Sequence, residues 1–260
     1  MNWGFDHKDV SMRRILLFTI ILIIFTAAVS QAQTNRSAQT YFSRAIERHA
    51  KGDLDGAIAD YSIAITFDPK VAIAYHNRGN ARKAKGELNE AIADYNRAIE
   101  INPRYTEAFN NRGNARQDIG DLDGAIADFS KAIEINPRLG LSYNNRGAAR
   151  QAIRDFDGAI SDYSKAIMLD PRLALAYNNR GALNFARGNL SDSIADFEKA
   201  IKVNSRYATP YMNRGLVLLI QGKVVEAESN FEQCLGLDGG LKPLLEERIK
   251  EVKNQLVGRH

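Results

Sequence analysis

The stretch YNNRG occurs at residues 143–147 and again at 177–181, and its repetition decides the fold. Close variants recur elsewhere as YHNRG at 75–79, FNNRG at 109–113 and YMNRG at 211–215. The glycines that end these stretches follow one another at a constant step of 34 residues. A fixed period of this length is typical of a solenoid, in which each unit packs on its neighbours. Because one active site needs only one set of groups, the repetition favours a scaffold over a catalytic loop.

One period, residues 106–139, predicts two helices joined by a turn. Small and apolar residues lie on one side of the first helix, namely Ala108, Phe109, Gly113 and Ala115. Gly120 and Asp121 then interrupt the pattern and start a turn. Apolar residues return at three- and four-residue steps until the sequence INP, where the residue before proline disfavours helical geometry. Each helix alone would leave an apolar stripe in water, so the two must pack together and on the next pair.

This pattern resembles the tetratricopeptide repeat (TPR), in which two aromatic residues and several small residues hold set places in a 34-residue unit. The first aromatic is Tyr41, Tyr75, Phe109, Tyr143, Tyr177 and Tyr211. The second aromatic is Tyr61, Tyr95, Phe129, Tyr163, Phe197 and Phe231. The resemblance covers six units, 38–71, 72–105, 106–139, 140–173, 174–207 and 208–241. It implies an all-α fold, a right-handed superhelical solenoid of antiparallel helix pairs that binds protein partners.

The two ends of the chain differ from the repeats. Residues 1–32 contain a basic start, an apolar run and small residues two apart, which together predict a signal peptide cleaved near Ala32. The alternatives are a membrane anchor in place of the signal peptide, and Met12 in place of Met1 as the true start. Residues 33–37 are expected to form a polar linker. Residues 242–260 are expected to form a capping helix and tail, with an apolar stripe of Leu245, Ile249, Val252 and Leu256.

Composition excludes several classes of function. The formal charge is only +4 and both signs are spread along the chain, so nucleic-acid binding is not expected. Cys234 is the single cysteine, and it replaces a small residue of the repeat, so we expect a buried thiol and no internal disulfide. The four histidines have no paired ligands, so no metal site is expected. The sequence therefore predicts no catalytic residues, no cofactor and no enzymatic activity.

The repeated arginines admit two interpretations. The second helices carry aspartates at the same period, namely Asp60, Asp94, Asp128, Asp162 and Asp196, whereas Asn230 holds the last such place. We expect each arginine to lay its stem on apolar surface and to pair its head with the aspartate of its own unit. The alternative is a row of arginines that binds polyanions, which would make binding strongly salt-dependent.

The repeated asparagines are the predicted partner-binding residues. By resemblance to the family, they would line the concave groove formed by successive first helices. An amide both donates and accepts hydrogen bonds, so a row of amides could hold an extended peptide backbone. The candidates are Asn77, Asn80, Asn110, Asn111, Asn114, Asn144, Asn145, Asn178, Asn179 and Asn213. The alternative is that asparagine is a polar surface residue copied with its repeat.

Two functional classes follow from this sequence. The first is an exported adaptor that binds a peptide or protein segment in the groove, where several apolar residues adjoin the asparagines: Leu141, Leu175, Phe185, Met212, Leu216 and Leu219. Binding of carboxylate-ended chaperone tails is not expected, because Leu141 and Leu175 stand where that clamp needs basic residues. The second is a structural module of an envelope or secretion complex that acts through its convex or end surfaces. A membrane partner is expected only if the N-terminal segment stays uncleaved.

Overall fold

The computed structural model describes residues 7–257, apart from the side chains of 7–16, 27–32, 34–35 and 257. All regular structure in this range is helical, and no strand occurs within it. The first four helices are α1 (His7–Ala50), α2 (Leu54–Phe67), α3 (Ala72–Ala84) and α4 (Leu88–Ile101). They are followed by α5 (Thr106–Asp118), α6 (Leu122–Ile135), α7 (Gly140–Ala152), α8 (Phe156–Leu169), α9 (Ala174–Ala186), α10 (Leu190–Val203), α11 (Ala208–Ile220), α12 (Val224–Leu237) and α13 (Lys242–Val257).

The chain divides into two compact units, one ending at Pro103 and the other beginning at Arg104. In the first unit, α1 packs against α2, α3 packs against α4, and α2 also contacts α3. In the second unit, four such pairs follow one another, from α5 with α6 to α11 with α12, and each pair contacts the next. The all-α fold of paired helices predicted from the sequence is thus confirmed within each unit.

Glycine allows the two helices of a pair to approach closely. A Cβ atom built on Gly147 would lie 2.8 Å from Cε1 of Tyr163, and one on Gly113 would lie 2.7 Å from Cε1 of Phe129. The ring of Phe129 is fully buried and Tyr163 is 1% exposed, so neither can move aside without disturbing the core. The repeated glycine of the NRG stretch therefore has a packing role, as the sequence predicted.

The turn inside each pair requires a left-handed residue. Gly120 has φ 86° there, and the side chain of Asp121 then caps α6 by accepting a hydrogen bond from Gly124 N at 3.0 Å. The same turn one period later contains Arg154, whose φ of 67° is the single positive value among the described residues other than glycine. Left-handed backbone is unfavourable for a residue with a Cβ atom, so Arg154 is a strained position.

The segment 33–37, predicted as a polar linker, is instead part of α1. The sequence from His7 to Ala50 contains no glycine or proline. Within it, the Oγ of Ser37 donates to Gln33 O at 3.1 Å, so the helix is not interrupted there. Among the described residues, no helix is long and apolar enough to cross a membrane. The predicted N-terminal extension lies partly outside the described residues, which also leave out the side chains around the predicted cleavage site at Ala32.

The C-terminal helix covers the last pair with the predicted apolar stripe. Leu245 and Val252 are 3% and 5% exposed, and Ile249 and Leu256 pack against the same cluster. That cluster includes four residues that the sequence analysis placed in an apolar groove: Phe185, Met212, Leu216 and Leu219. They pack in the core beneath α13, since an apolar helix face needs an apolar counterpart. Residues 258–260 of the predicted tail lie outside the described residues.

Candidate functional site

In five of the six repeats, an arginine of the first helix pairs with the aspartate that lies 16 residues later in the second helix. The pair of Arg146 and Asp162 is bidentate, with Nε donating to Oδ2 at 2.8 Å and Nη2 donating to Oδ1 at 2.7 Å. The same arrangement joins Arg44 to Asp60, Arg78 to Asp94, Arg112 to Asp128 and Arg180 to Asp196. These aspartates are buried. The predicted structural pairing is therefore confirmed.

A second arginine completes four of these clusters. Nη1 of Arg150 donates to Oδ2 of Asp162 at 2.8 Å, while its Nε lies 3.6 Å from Oδ2 of Asp155, the residue that caps α8. Arg48, Arg82 and Arg116 hold the equivalent places. Because these guanidinium groups are held by carboxylates inside the helix pairs, the geometry favours the structural interpretation over polyanion binding.

The ion pair of Arg44 and Asp60 illustrates the electrostatics of these clusters. Hydrogen bonds from Arg44 hold the pKa of Asp60 below its ordinary value, although burial of the carboxylate acts in the opposite direction. The last pair lacks the carboxylate, as the sequence predicted. There, Nε of Arg214 donates to the amide oxygen of Asn230 at 2.9 Å, and this amide donates in turn to Glu226 O at 2.7 Å.

The arginines also connect neighbouring pairs through serines that sequence reasoning missed. Nη1 of Arg146 donates to Oγ of Ser130 at 3.1 Å, and Nη1 of Arg180 donates to Oγ of Ser164 at 3.0 Å. Within the first unit, Arg78 contacts Ser62 in the same way at 3.0 Å. Ser130 and Ser164 lie one period apart, and this spacing is the signal that could have identified them.

Three of the predicted groove residues lie in the interior. Asn110, Asn144 and Asn178 are 5%, 2% and 6% exposed, so they do not line an open groove. Each lies three residues before the glycine of its helix, one turn away on the same side, and therefore faces the packed interior. The expectation that these three asparagines line the concave groove is wrong.

The asparagines of the second unit instead form one continuous hydrogen-bonded series across α5, α7, α9 and α11, which we name the asparagine chain. The Nδ2 of each residue donates to the Oδ1 of the next at distances of 3.0 to 3.5 Å. In order of donation, its members are Asn213, Asn178, Asn179, Asn144, Asn145 and Asn114. The amides predicted to hold a partner therefore hold neighbouring repeats together.

The remaining predicted asparagines have varied surroundings. Asn80 accepts a hydrogen bond from the hydroxyl of Tyr95 at 2.8 Å, and Asn77 bonds to Tyr61. Asn111 is half-buried. The Oδ1 of Asn110 is buried with no hydrogen-bond partner in the structure. The equivalent oxygen of Asn144 accepts from Asn179, but Asn145 donates to Asn114 instead of to Asn110. A recognition role for these asparagines stays a prediction.

A partly exposed surface remains on α7 and α9. Leu141 and Leu175 are 45% and 38% exposed and hold equivalent places one period apart. On each helix, a half-buried asparagine and alanine follow at steps of four and seven residues, on the same side. We name this surface the first-helix face, and it comprises Leu141, Asn145, Ala148, Leu175, Asn179 and Ala182. The first-helix face carries no charged side chain, and two of its apolar side chains are available for contact.

Cys234 and the other possible metal-ligating side chains form no cluster of metal ligands among the described residues. Cys234 is fully buried, as predicted, and burial raises the pKa of its thiol above the ordinary value. A thiol in such surroundings stays protonated and unreactive at neutral pH. In the part of the chain that the structure describes, no three histidine, cysteine or acidic side chains are grouped as metal ligands.

Comparisons with known proteins identify the repeat. Family profiles described as "TPR repeat" match residues 47–86 and 79–120, and profiles described as "Tetratricopeptide repeat" match 106–139, 141–173 and 174–207. No curated protein matches in the sequence comparison.

Solved structures give the same result. PilF from Pseudomonas aeruginosa superposes with a TM-score of 0.72 at 14% identity, over 84% of this chain and 99% of that one. YrrB, described as a TPR protein with an unusual peptide-binding site, gives 0.55 at 19% identity, over 74% and 97%. MamA gives 0.55 at 25% identity, over 64% and 96%.

Proposed function

Since the chain belongs to the tetratricopeptide repeat family, we propose that it is a non-enzymatic adaptor that binds a protein segment on the first-helix face of its second unit. The observation that carries this proposal is the exposure of Leu141 and Leu175, one period apart, at 45% and 38%. The other four apolar residues predicted for the groove pack beneath α13. Exposed aliphatic side chains in register on adjacent helices can contact the same partner segment.

The arginines and asparagines support this assignment because their side chains form hydrogen bonds within the protein. The arginines from Arg44 to Arg180 hold buried aspartates, and the asparagine chain connects the first helices of unit 2. Both sets stabilise the framework, which leaves the two leucines as the apolar contacts with a partner. YrrB has the same fold and a peptide-binding site, which makes a protein segment the natural class of ligand here.

Affinity capture from the native host tests this proposal. The full-length chain is compared with a Leu141→Ser, Leu175→Ser variant and with a control variant, Ile119→Ser, Ile153→Ser. The control isoleucines are similarly exposed, at 46% and 45%, but Ile153 lies about 18 Å along α7 from Leu141. We expect the leucine variant alone to lose the captured partner. Loss in the control alone would contradict the proposal and support assembly through other surfaces.

Assembly through the surface of the second helices is a second candidate function. Met168 on α8 and Val225 on α12 are 62% and 77% exposed, so apolar side chains on the surface of the second helices are available to contact another protein. A Met168→Ser, Val225→Ser variant separates the two functions. Under the assembly alternative this variant loses the partner and the leucine variant keeps it.

We further propose that the chain is exported, with cleavage of the N-terminal segment near Ala32. The support is the basic start and apolar run of residues 12–33. Mass spectrometry of the mature protein from the native host tests this. An N-terminus near Gln33 is expected, whereas an intact N-terminal segment in the membrane fraction would indicate an anchor instead.

A further inference from the structure

Helices α7 and α9 of the second unit combine three properties that restrict the chemistry of a bound segment, whereas the preceding first helix, α5, carries the exposed acidic residues Glu107 and Asp118. The first is the absence of available charge. The only charged residues of α7, α9 and α11 are Arg146, Arg150, Arg180 and Arg214. The first three donate to buried carboxylates, and Arg214 donates to an amide on α12. A charged ligand would lose its hydration at this surface without gaining an opposite charge.

The second property is the polarity of the asparagine chain. All of its bonds run in one direction, from Asn213 to Asn114, so each interior amide accepts from one neighbour and donates to another. An amide nitrogen carries two N–H groups, and the chain uses one of them. Asn145 and Asn179 are half-buried at the first-helix face. Their second N–H groups can donate to backbone carbonyl oxygens of a bound segment, provided that this segment has no internal hydrogen bonds.

The third property is spacing. Helices α7 and α9 contact each other, and Nδ2 of Asn179 donates to Oδ1 of Asn144 at 3.1 Å. Helices in contact lie about 8–10 Å apart, so equivalent residues of α7 and α9 are expected at about this separation. A polyproline II segment has three residues per turn and rises about 9.3 Å per turn, with no internal hydrogen bonds. Its side chains and carbonyls would therefore repeat in step with the first helices. A β-strand repeats every two residues, at about 6.8 Å, and matches less well.

We propose that the first-helix face binds an uncharged protein segment in the polyproline II conformation, with an apolar side chain at every third residue. Leu141 and Leu175 contact successive apolar side chains, and the amides of Asn145 and Asn179 donate to the backbone carbonyls between them. This inference rests on the proposed function and specifies the partner of the same surface.

Peptide binding to the full-length chain tests the inference by fluorescence anisotropy. The probes are a labelled peptide of Pro-Pro-Leu repeats, one of Pro-Pro-Glu repeats and one of Gly-Ser-Leu repeats. We expect the first to bind tightest, because Pro-Pro-Glu adds charge and Gly-Ser-Leu loses the preformed conformation. The Leu141→Ser, Leu175→Ser variant should weaken its binding about tenfold. The Ile119→Ser, Ile153→Ser control should leave it unchanged.

Three results would overturn the inference. One is equal or tighter binding of either comparison peptide, which would leave a groove adaptor with a different ligand chemistry. The second is binding of the Pro-Pro-Leu peptide that the leucine variant does not weaken, and the third is the absence of any binding of this peptide. Partner capture with the same variants reports on the proposed function separately, so failure of the ligand chemistry and failure of the groove are distinguishable.

Discussion

At the scale of single residues, the repeat provides its own reference for what each position requires. Ser193 stands where Ala57, Ala91, Ala125, Ala159 and Ala227 stand in the other units. It is fully buried, and its Oγ has no hydrogen-bond partner in the structure. A buried hydroxyl without a partner loses its hydration without compensation. This serine is therefore a local defect at a place where the other five repeats have alanine.

We expect Ser193→Ala to raise the free energy of unfolding by about 1 kcal/mol, because it removes an unsatisfied polar group without changing the packing. Urea denaturation followed by circular dichroism measures the change. Ser130→Ala is the matched control, and it should lower stability, since Ser130 accepts from Arg146 at 3.1 Å. An unchanged or lower midpoint for Ser193→Ala would show that the hydroxyl has a partner in solution.

Arg154 provides a second test at this scale. We expect Arg154→Gly to stabilise the chain by about 1 kcal/mol, since glycine removes the left-handed strain at φ 67°. Loss of the contact between its guanidinium and the ring of Phe156, at 6.0 Å, reduces the gain. The reciprocal change, Gly188→Arg at φ 80°, should be destabilising. If thermal or urea unfolding shows that Arg154→Gly is less stable than Gly188→Arg, the backbone of Arg154 is not strained.

At the scale of the helix pair, the close approach of the two helices and the buried ion pairs between them stabilise each repeat. We expect Gly147→Ala to lower the free energy of unfolding by about 1–3 kcal/mol, because its Cβ atom would lie 2.8 Å from the ring of Tyr163. The control is Gly236→Ala in α12, where no atom lies within 4 Å of the added Cβ atom. It should raise stability by about 0.5 kcal/mol through helix propensity. Equal effects of the two changes in urea denaturation would contradict the packing role.

The buried ion pairs predict how stability depends on pH. The pKa of Asp60 is lowered in the folded state by Arg44, so the unfolded state binds more protons between the two pKa values. The stability contributed by this pair is thus present at neutral pH and is lost as pH falls through the folded pKa, below 3.8. The difference in unfolding free energy between the native chain and Asp60→Asn should be large at pH 7 and shrink below about pH 4.

A difference that stayed constant with pH would show that the lowered pKa of Asp60 does not contribute to stability. The control is Asp157→Asn, since Asp157 pairs with Arg187 at 2.6 Å but is 89% exposed. Water screens such a pair, so its removal should have a small effect at every pH.

At the scale of the whole molecule, the sequence predicted the fold better than the binding surface. The period, the glycines and the Arg146–Asp162 type of pair followed from residues that repeat in register, because packing is set locally within each unit. The surroundings of Asn144 were not predictable in this way, since they depend on side chains of the neighbouring repeats. Phe185 was likewise placed in a groove because sequence alone does not show which helix α13 covers. The boundaries of the six units stay a prediction.

The central claim is that the first-helix face contacts the partner. The measurement that tests it most directly is photo-crosslinking in the native host, with a photoreactive amino acid in place of Leu175 or, as the control, in place of Ile153. The two positions are similarly exposed, at 38% and 45%, on neighbouring pairs. We predict that the probe at position 175 forms a crosslink to a protein partner and that the probe at 153 does not form this crosslink. The same partner crosslinked at 153 and not at 175 would contradict the account.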